Sequence, residues 1–155
     1  MKDAFSPVDG MPSVAPLWRR MAAIVYDMIV LGGLFIFDTL VAHVLVGTAI
    51  QHGLAKAVFQ TVLLFTAFAY FAYFWTHGGQ TTGMKAWRIQ LRNADASRLI
   101  SLNQALLRFV VAMPAALLGG LGFLWMLFDP RRMTWHDRYS ESQMFMAPWP
   151  GNTRQ

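Results

Sequence analysis

The chain has 155 residues, 55% of them hydrophobic and only 14% charged, with a mean hydropathy of +0.38. Soluble domains are about 25% charged, so the composition points to a single-domain integral membrane protein. Lys and Arg outnumber Asp and Glu by 13 to 8 and flank apolar segments, which suits anionic lipid headgroups better than nucleic acid, and the absence of Cys excludes disulfides, thiolate metal sites and Cys nucleophiles.

Residues 1–14 carry Pro, Asp and Gly where a signal peptide needs an apolar run, and read as a flexible cytoplasmic tail. The body of the protein is expected over 15–147, with 148–155 a second flexible tail. The first apolar segment runs from about Met21 to Val46, and the second from about Ala57 to Trp75. Each reaches the ~20 residues needed to cross a bilayer. The short linker GTAIQHGLAK makes them an antiparallel pair, and Tyr70, Phe71, Tyr73, Phe74 and Trp75 close the second with an interfacial aromatic cluster.

The next stretch changes character. Trp87, Ile89 and Leu91 alternate with Ala86, Arg88, Gln90 and Arg92, a period of two that predicts a strand. Asn93 to Ser97 is turn chemistry and Leu99 to Leu102 can return, which predicts a short cytoplasmic β-hairpin, with Ser142–Ala147 as a possible third strand. Ser101 is placed to cap the helix that carries Asn103 and Arg108.

The third apolar segment, Ala105 to Phe128, contains Pro114, Gly119, Gly120 and Gly122, which break helices. It can span once or re-enter, but is too short to span twice. If it re-enters, every Lys and Arg except Lys56 lies on the side of the N-terminus, as the positive-inside rule favours. If it spans, the basic residues after 129 fall outside. The fold class is thus an all-α membrane protein with two full transmembrane helices, a third broken, re-entrant or spanning segment, and a small β element.

The unusual residues are the charged ones. On a regular helix Arg20 and Asp27 share a face, two turns or ~10 Å apart, and Asp38 lies ~16 Å further on the same face. A carboxylate at mid-bilayer costs about 2.5–3.5 kcal/mol on insertion scales, so Asp27 needs a partner from outside its helix: an Arg, a backbone N–H of the broken segment, or a travelling cation. Asp38 fits an interfacial position. A second charge cluster, FDPRRMTWHDRYS, gathers Asp129, Arg131, Arg132, His136, Asp137 and Arg138. It reads either as a salt-bridged interfacial cap or as a gate in which Asp137 and Arg20 pair.

Together WRRMAAIVYD, HGGQTTGMKAWRIQL, LNQALLRF, GFLWMLFDPRRMTWHDRYS and SQMFM resemble the RDD family of membrane proteins, named for one Arg and two Asp. The resemblance covers about residues 15–147. It assigns the family's arginine to Arg20, its first aspartate to Asp27 and its later aspartate to Asp137. Two departures stand out: Gly83-Met84-Lys85 replaces the usual Gly-Lys pair, and Ser140-Glu141-Ser142 replaces a run of small residues. The resemblance implies a multi-pass protein of the bacterial inner membrane with a cytoplasmic N-terminus, with transport the usual suggestion. Arg19, Arg108, Asp129, Arg132 and His136 are secondary site candidates.

GGQTTGMK is not a phosphate-binding loop, because Met84 and not Lys-Ser/Thr follows the last glycine of GxxxxG and no buried strand precedes it. His43, His52, His77 and His136 have no metal-ligand spacing. No cofactor, metal, nucleotide or nucleic acid is expected. No nucleophile–base motif is present, so an enzyme acting on lipid would rest on the charge clusters alone. Two readings follow. One is a transporter or channel component working as a homo-oligomer or within a larger complex, with Asp27 as its ion-responsive group. The other is a non-transporting scaffold whose charges are structural.

Overall fold

The computed structural model describes residues 12–118 and 121–147. The proposed tails, apart from residues 12–14, lie outside that range.

Helix α1 (Leu17–Val46) has 30 residues and α2 (Gly53–His77) has 25. At ~1.5 Å per residue these are about 45 and 38 Å long. Both are long and apolar enough to cross a membrane. They are joined by a 3₁₀ turn, Gly47–Gln51, bounded by Gly47 and Gly53, both at positive φ. Most of their apolar side chains are uncovered: Val44 is 85% exposed and Leu54 80%. Exposure on that scale along two adjacent helices suits a hydrocarbon solvent and not water.

The packed core gathers at the other end of the pair, where Trp75, Met84, Ile89, Leu91, Ala105 and Met144 are buried against one another. A short helix α3 (Thr82–Ala86), capped by the Thr81 hydroxyl on Met84 N, leads into strand β1 (Ile89–Asn93). The alternation predicted there holds, with Ile89, Leu91 and Asn93 turned inward.

The local hairpin does not form. β1 pairs antiparallel with β2 (Ser142–Met146), in register Ile89↔Met146, Leu91↔Met144 and Asn93↔Ser142. The turn at Asn93–Ser97 exists, closed by Asn93 N donating to Arg98 O at 3.0 Å. The stretch after it is taken by the next helix. Ser101 and Gln104 form a reciprocal capping box on α4 (Leu102–Leu117), which commits residues expected as a return strand to a helix start. The segment considered as a third strand is the true partner.

The third apolar segment is broken, as its glycines suggest, but Pro114 lies inside α4 and does not end it. α4 has 16 residues, and after it come α5 (Leu121–Leu124), a 3₁₀ turn (Trp125–Leu127) and α6 (Trp135–Tyr139). Gly122 lets α5 lie close on α4, since a side chain there would strike Ala115. The chain then folds back beside the first turns of α4, where Gln104 Nε2 donates to Ser140 O at 3.0 Å.

Ser13 to Ala15 run along β2, with Ala15 N donating to Met144 O at 2.9 Å and Met146 N to Ser13 O at 2.8 Å. The last residues of the expected N-terminal tail are therefore held. Both ends of the described chain meet at the packed end of the helix pair.

Gly79 sits at φ +66, and a side chain there would meet the Leu91 carbonyl and the Leu99 side chain. Its own carbonyl accepts from Leu91 N at 2.7 Å. Gly79→Ala should lower stability by about 1–3 kcal/mol, measured as a lower melting temperature in detergent, whereas Gly78→Ala, which has space around it, should be nearly neutral.

Candidate functional site

Arg20 and Asp27 are both buried on one face of α1, as the helical spacing predicts, yet they serve different assemblies.

Arg20 points into the packed end. Its Nη1 donates to Asp137 Oδ2 at 2.6 Å, Nε to Ala15 O at 3.1 Å and Nη2 to Met144 O at 3.4 Å. Asp137 stands on α6, which Thr134 caps: Asp137 N donates to the Thr134 hydroxyl and Thr134 N to Asp137 Oδ2. The other carboxylate oxygen, Oδ1, receives Arg108 Nη1 at 2.5 Å. Arg108, two turns into α4, also donates to Ser142 Oγ at 2.8 Å, and its guanidinium lies over the Trp75 ring at 5.5 Å. Arg20, Arg108 and Asp137 are each at most 2% exposed. One carboxylate thus binds two arginines and ties α1, α4 and α6 together.

Burial alone would raise the Asp137 pKa, but Arg108 and then Arg20 hold the carboxyl far below the usual carboxylate range. His136 lies with its Nε2 3.9 Å from Asp137 Oδ1. Burial, followed by the charge of Arg108, pushes its pKa down to about 3, so it is a neutral imidazole at physiological pH. In that state it is not the cationic partner of Asp137.

Among the described residues Asp27 meets no cation. Its Oδ1 accepts from Tyr70 Oη at 2.9 Å and Gly83 N at 2.9 Å, and Oδ2 accepts from Thr81 Oγ1 at 2.5 Å. Of the anticipated partners, a backbone N–H is the right kind, but it comes from α3 and not from the broken segment. Gly83 is required there because a side chain would collide with the Ala23 carbonyl. The stretch GGQTTG, rejected as a phosphate loop, is the clamp on Asp27.

The secondary candidates divide. Arg108 belongs to the centre of the site. Arg19 is partly buried, donating to Trp87 O at 3.4 Å and lying 5.0 Å over the Trp18 ring. Asp129 accepts from Met133 N at 2.9 Å and shapes the turn before α6. Arg132 is exposed in that turn at φ +51. Sequence reasoning missed Tyr70, Thr81, Gly83, Thr134 and Ser142. Of these, only Thr134 carries a readable signal, the Thr-x-x-Asp spacing of a capping box.

A cavity of about 390 Å³ lies between α1, α2 and α4, with Arg20, Asp27, Arg108 and His136 in its otherwise apolar wall. Arg20 and Asp27 bracket it along α1. Among the described residues no group of His, Asp or Glu converges to hold a metal ion.

The RDD family's sequence profile matches residues 14–141. The chain belongs to the RDD family. No curated protein and no solved structure matches it. The RDD match covers every residue of both assemblies except Ser142 and Met144, so the arginine junction and the aspartate clamp lie within the family's own extent.

Asp137→Asn leaves two buried guanidiniums with a weaker acceptor and no counter-charge. Removing one partner of a buried pair costs about 3–5 kcal/mol. The variant should unfold at markedly lower temperature in detergent and accumulate poorly in membranes, while Asp95→Asn, on the exposed turn, should do neither.

Proposed function

We propose that this RDD-family chain is a multi-pass protein of the bacterial inner membrane, with a cytoplasmic N-terminus, that works as a transporter or channel component. The observation that carries the reading is the cavity between α1, α2 and α4, which has a carboxylate at one end and two guanidiniums at the other inside an apolar wall. Ionisable groups at membrane depth are costly and concentrate on pathways. Two crossing helices and one broken segment are too few to enclose a path, so the reading requires a homo-oligomer or a larger membrane complex.

Chain ends and charge support this orientation. Ser13–Ala15 lies against β2, and the third segment turns back beside its own start. Two crossings bring the chain back to its starting side, and a re-entrant third segment keeps it there. The basic rim then faces the cytoplasm. Trp18 and Trp87 pack edge to face at 5.6 Å, with Arg19 over Trp18 and Lys85 over Phe74. That combination suits a headgroup layer containing anionic lipid.

One observation favours the scaffold reading: Asp27 takes hydrogen bonds on both oxygens from α2, from the Thr81 cap and from α3, and thereby fastens elements together.

Two measurements test these proposals. Single cysteines at Ser13 and Ala147 should react with an impermeant thiol reagent from the same side of sealed vesicles, and one at Thr48 from the opposite side; labelling of 13 and 147 from different sides sinks the topology. In liposomes, the wild type should carry a proton or Na⁺ flux that Asp27→Asn abolishes at matched incorporation. A well-folded wild type without flux, in homo-oligomeric form, moves the assignment to the scaffold.

A further inference from the structure

The junction at Asp137 is unbalanced. Arg20 and Arg108 share one carboxylate, and the adjacent imidazole of His136 is uncharged at neutral pH. The Nη2 of Arg108, with the whole residue only 1% exposed, has no hydrogen-bond acceptor among the described residues. Buried guanidinium donors without acceptors are costly. Asp27 does not relieve this: it sits two turns away along α1, with both oxygens engaged by Tyr70, Thr81 and Gly83.

The wall of the adjoining cavity has its own character. Met21, Met28, Met84, Met113 and Met144 all line it, half of the 10 methionines in the chain. Methionine side chains are flexible and polarizable, and surfaces rich in them adapt to ligands of variable apolar shape. The volume, about 390 Å³, falls in the ordinary range for small-molecule sites, roughly 300–1,000 Å³.

We propose that this cavity binds an amphipathic anion, its acidic head neutralising the Arg20–Arg108 end and its flexible apolar tail lying along the methionines. The proposal deepens the reading above, since it names a ligand class for the same cavity. It rests on that cavity being a binding site and not on flux. A small inorganic anion would satisfy the charge but leave the methionine wall empty. A neutral lipid would fill the wall but leave the guanidinium without its acceptor.

The test uses the full-length protein in phosphatidylcholine nanodiscs, with laurate, dodecanol, dodecyltrimethylammonium and inorganic phosphate as probes. Laurate should raise the melting temperature by about 5–10 °C at a hundredfold excess over its Kd, and the other three should leave it within the scatter of the control. Ala112→Phe fills the cavity from α4 and Met28→Trp from α1, neither touching a charge. Whichever keeps wild-type helix content should lose the laurate shift. Equal shifts from laurate and dodecanol, or a shift that survives in a folded cavity-filled variant, overturn the proposal. Replacing phosphatidylcholine by phosphatidylglycerol identifies the source: a diminished laurate shift points to a lipid headgroup, an undiminished one to a free amphipathic acid, and either supports the shared chemistry. Because no step of this test reads flux, loss of laurate binding with flux intact overturns this inference alone, and binding without flux overturns transport alone.

Discussion

The fold hangs on the carboxylate of Asp137. It lies 117 residues from Arg20 and 29 from Arg108 in sequence, and it receives both, together with the Thr134 amide, on its two oxygens. Each guanidinium taken from water carries a desolvation penalty of several kcal/mol that a single good contact barely offsets. Such a junction is therefore poor evidence of stability and good evidence of specification. In an apolar medium, alternative packings of three apolar helical segments are nearly degenerate. A packing that gives all three charged groups partners at once is then favoured. The arrangement in which the third segment turns back and delivers α6 to α1 meets that requirement.

The sheet and the N-terminal approach are consequences of the same junction. Arg108 donates to Ser142 as well as to Asp137, and Arg20 donates to the carbonyls of Ala15 and Met144. The two arginines thereby fix the first residue of β2 and the strip of chain that precedes α1. β1 fills the remaining edge, with Leu91 opposite Met144. Unpaired hydroxyl and amide groups would be expensive in this small core, and Ser140, Ser142, Gln104 and Asn93 satisfy one another across it.

Local rules made part of this legible. The two long helices follow from apolar length, the break in the third from its glycines, although α4 runs on past Pro114, and the start of α4 from Ser101. The shared face of Arg20 and Asp27 follows from 3.6-residue periodicity. What stayed hidden is what depends on pairing at long range. The alternation in β1 shows a strand but not its partner, and the nearest eligible stretch was lost to a helix cap. Asp27 advertises a need without naming its donors, because Tyr70 looks like an interfacial aromatic and Thr81 and Gly83 like turn residues. In the sequence Arg108 ranks below Arg20, because the family resemblance places the signature arginine at Arg20. Geometry gives the two equal standing on Asp137.

The two aspartates differ in what they can do, and the difference lies in their donors. Asp137 faces two permanent cations, so protonating it leaves a buried double charge, and its low pKa expresses that constraint. Asp27 faces two hydroxyls and one amide. Those neutral donors fasten α1 to α2 and α3, while the two cations on Asp137 tie α1, α4 and α6. Taking any one donor from Asp27 leaves the others in place, whereas taking the carboxylate from Asp137 leaves two buried guanidiniums without their counter-charge. The clamp at Asp27 is therefore a distributed fastening, and the junction at Asp137 a single point on which three elements depend.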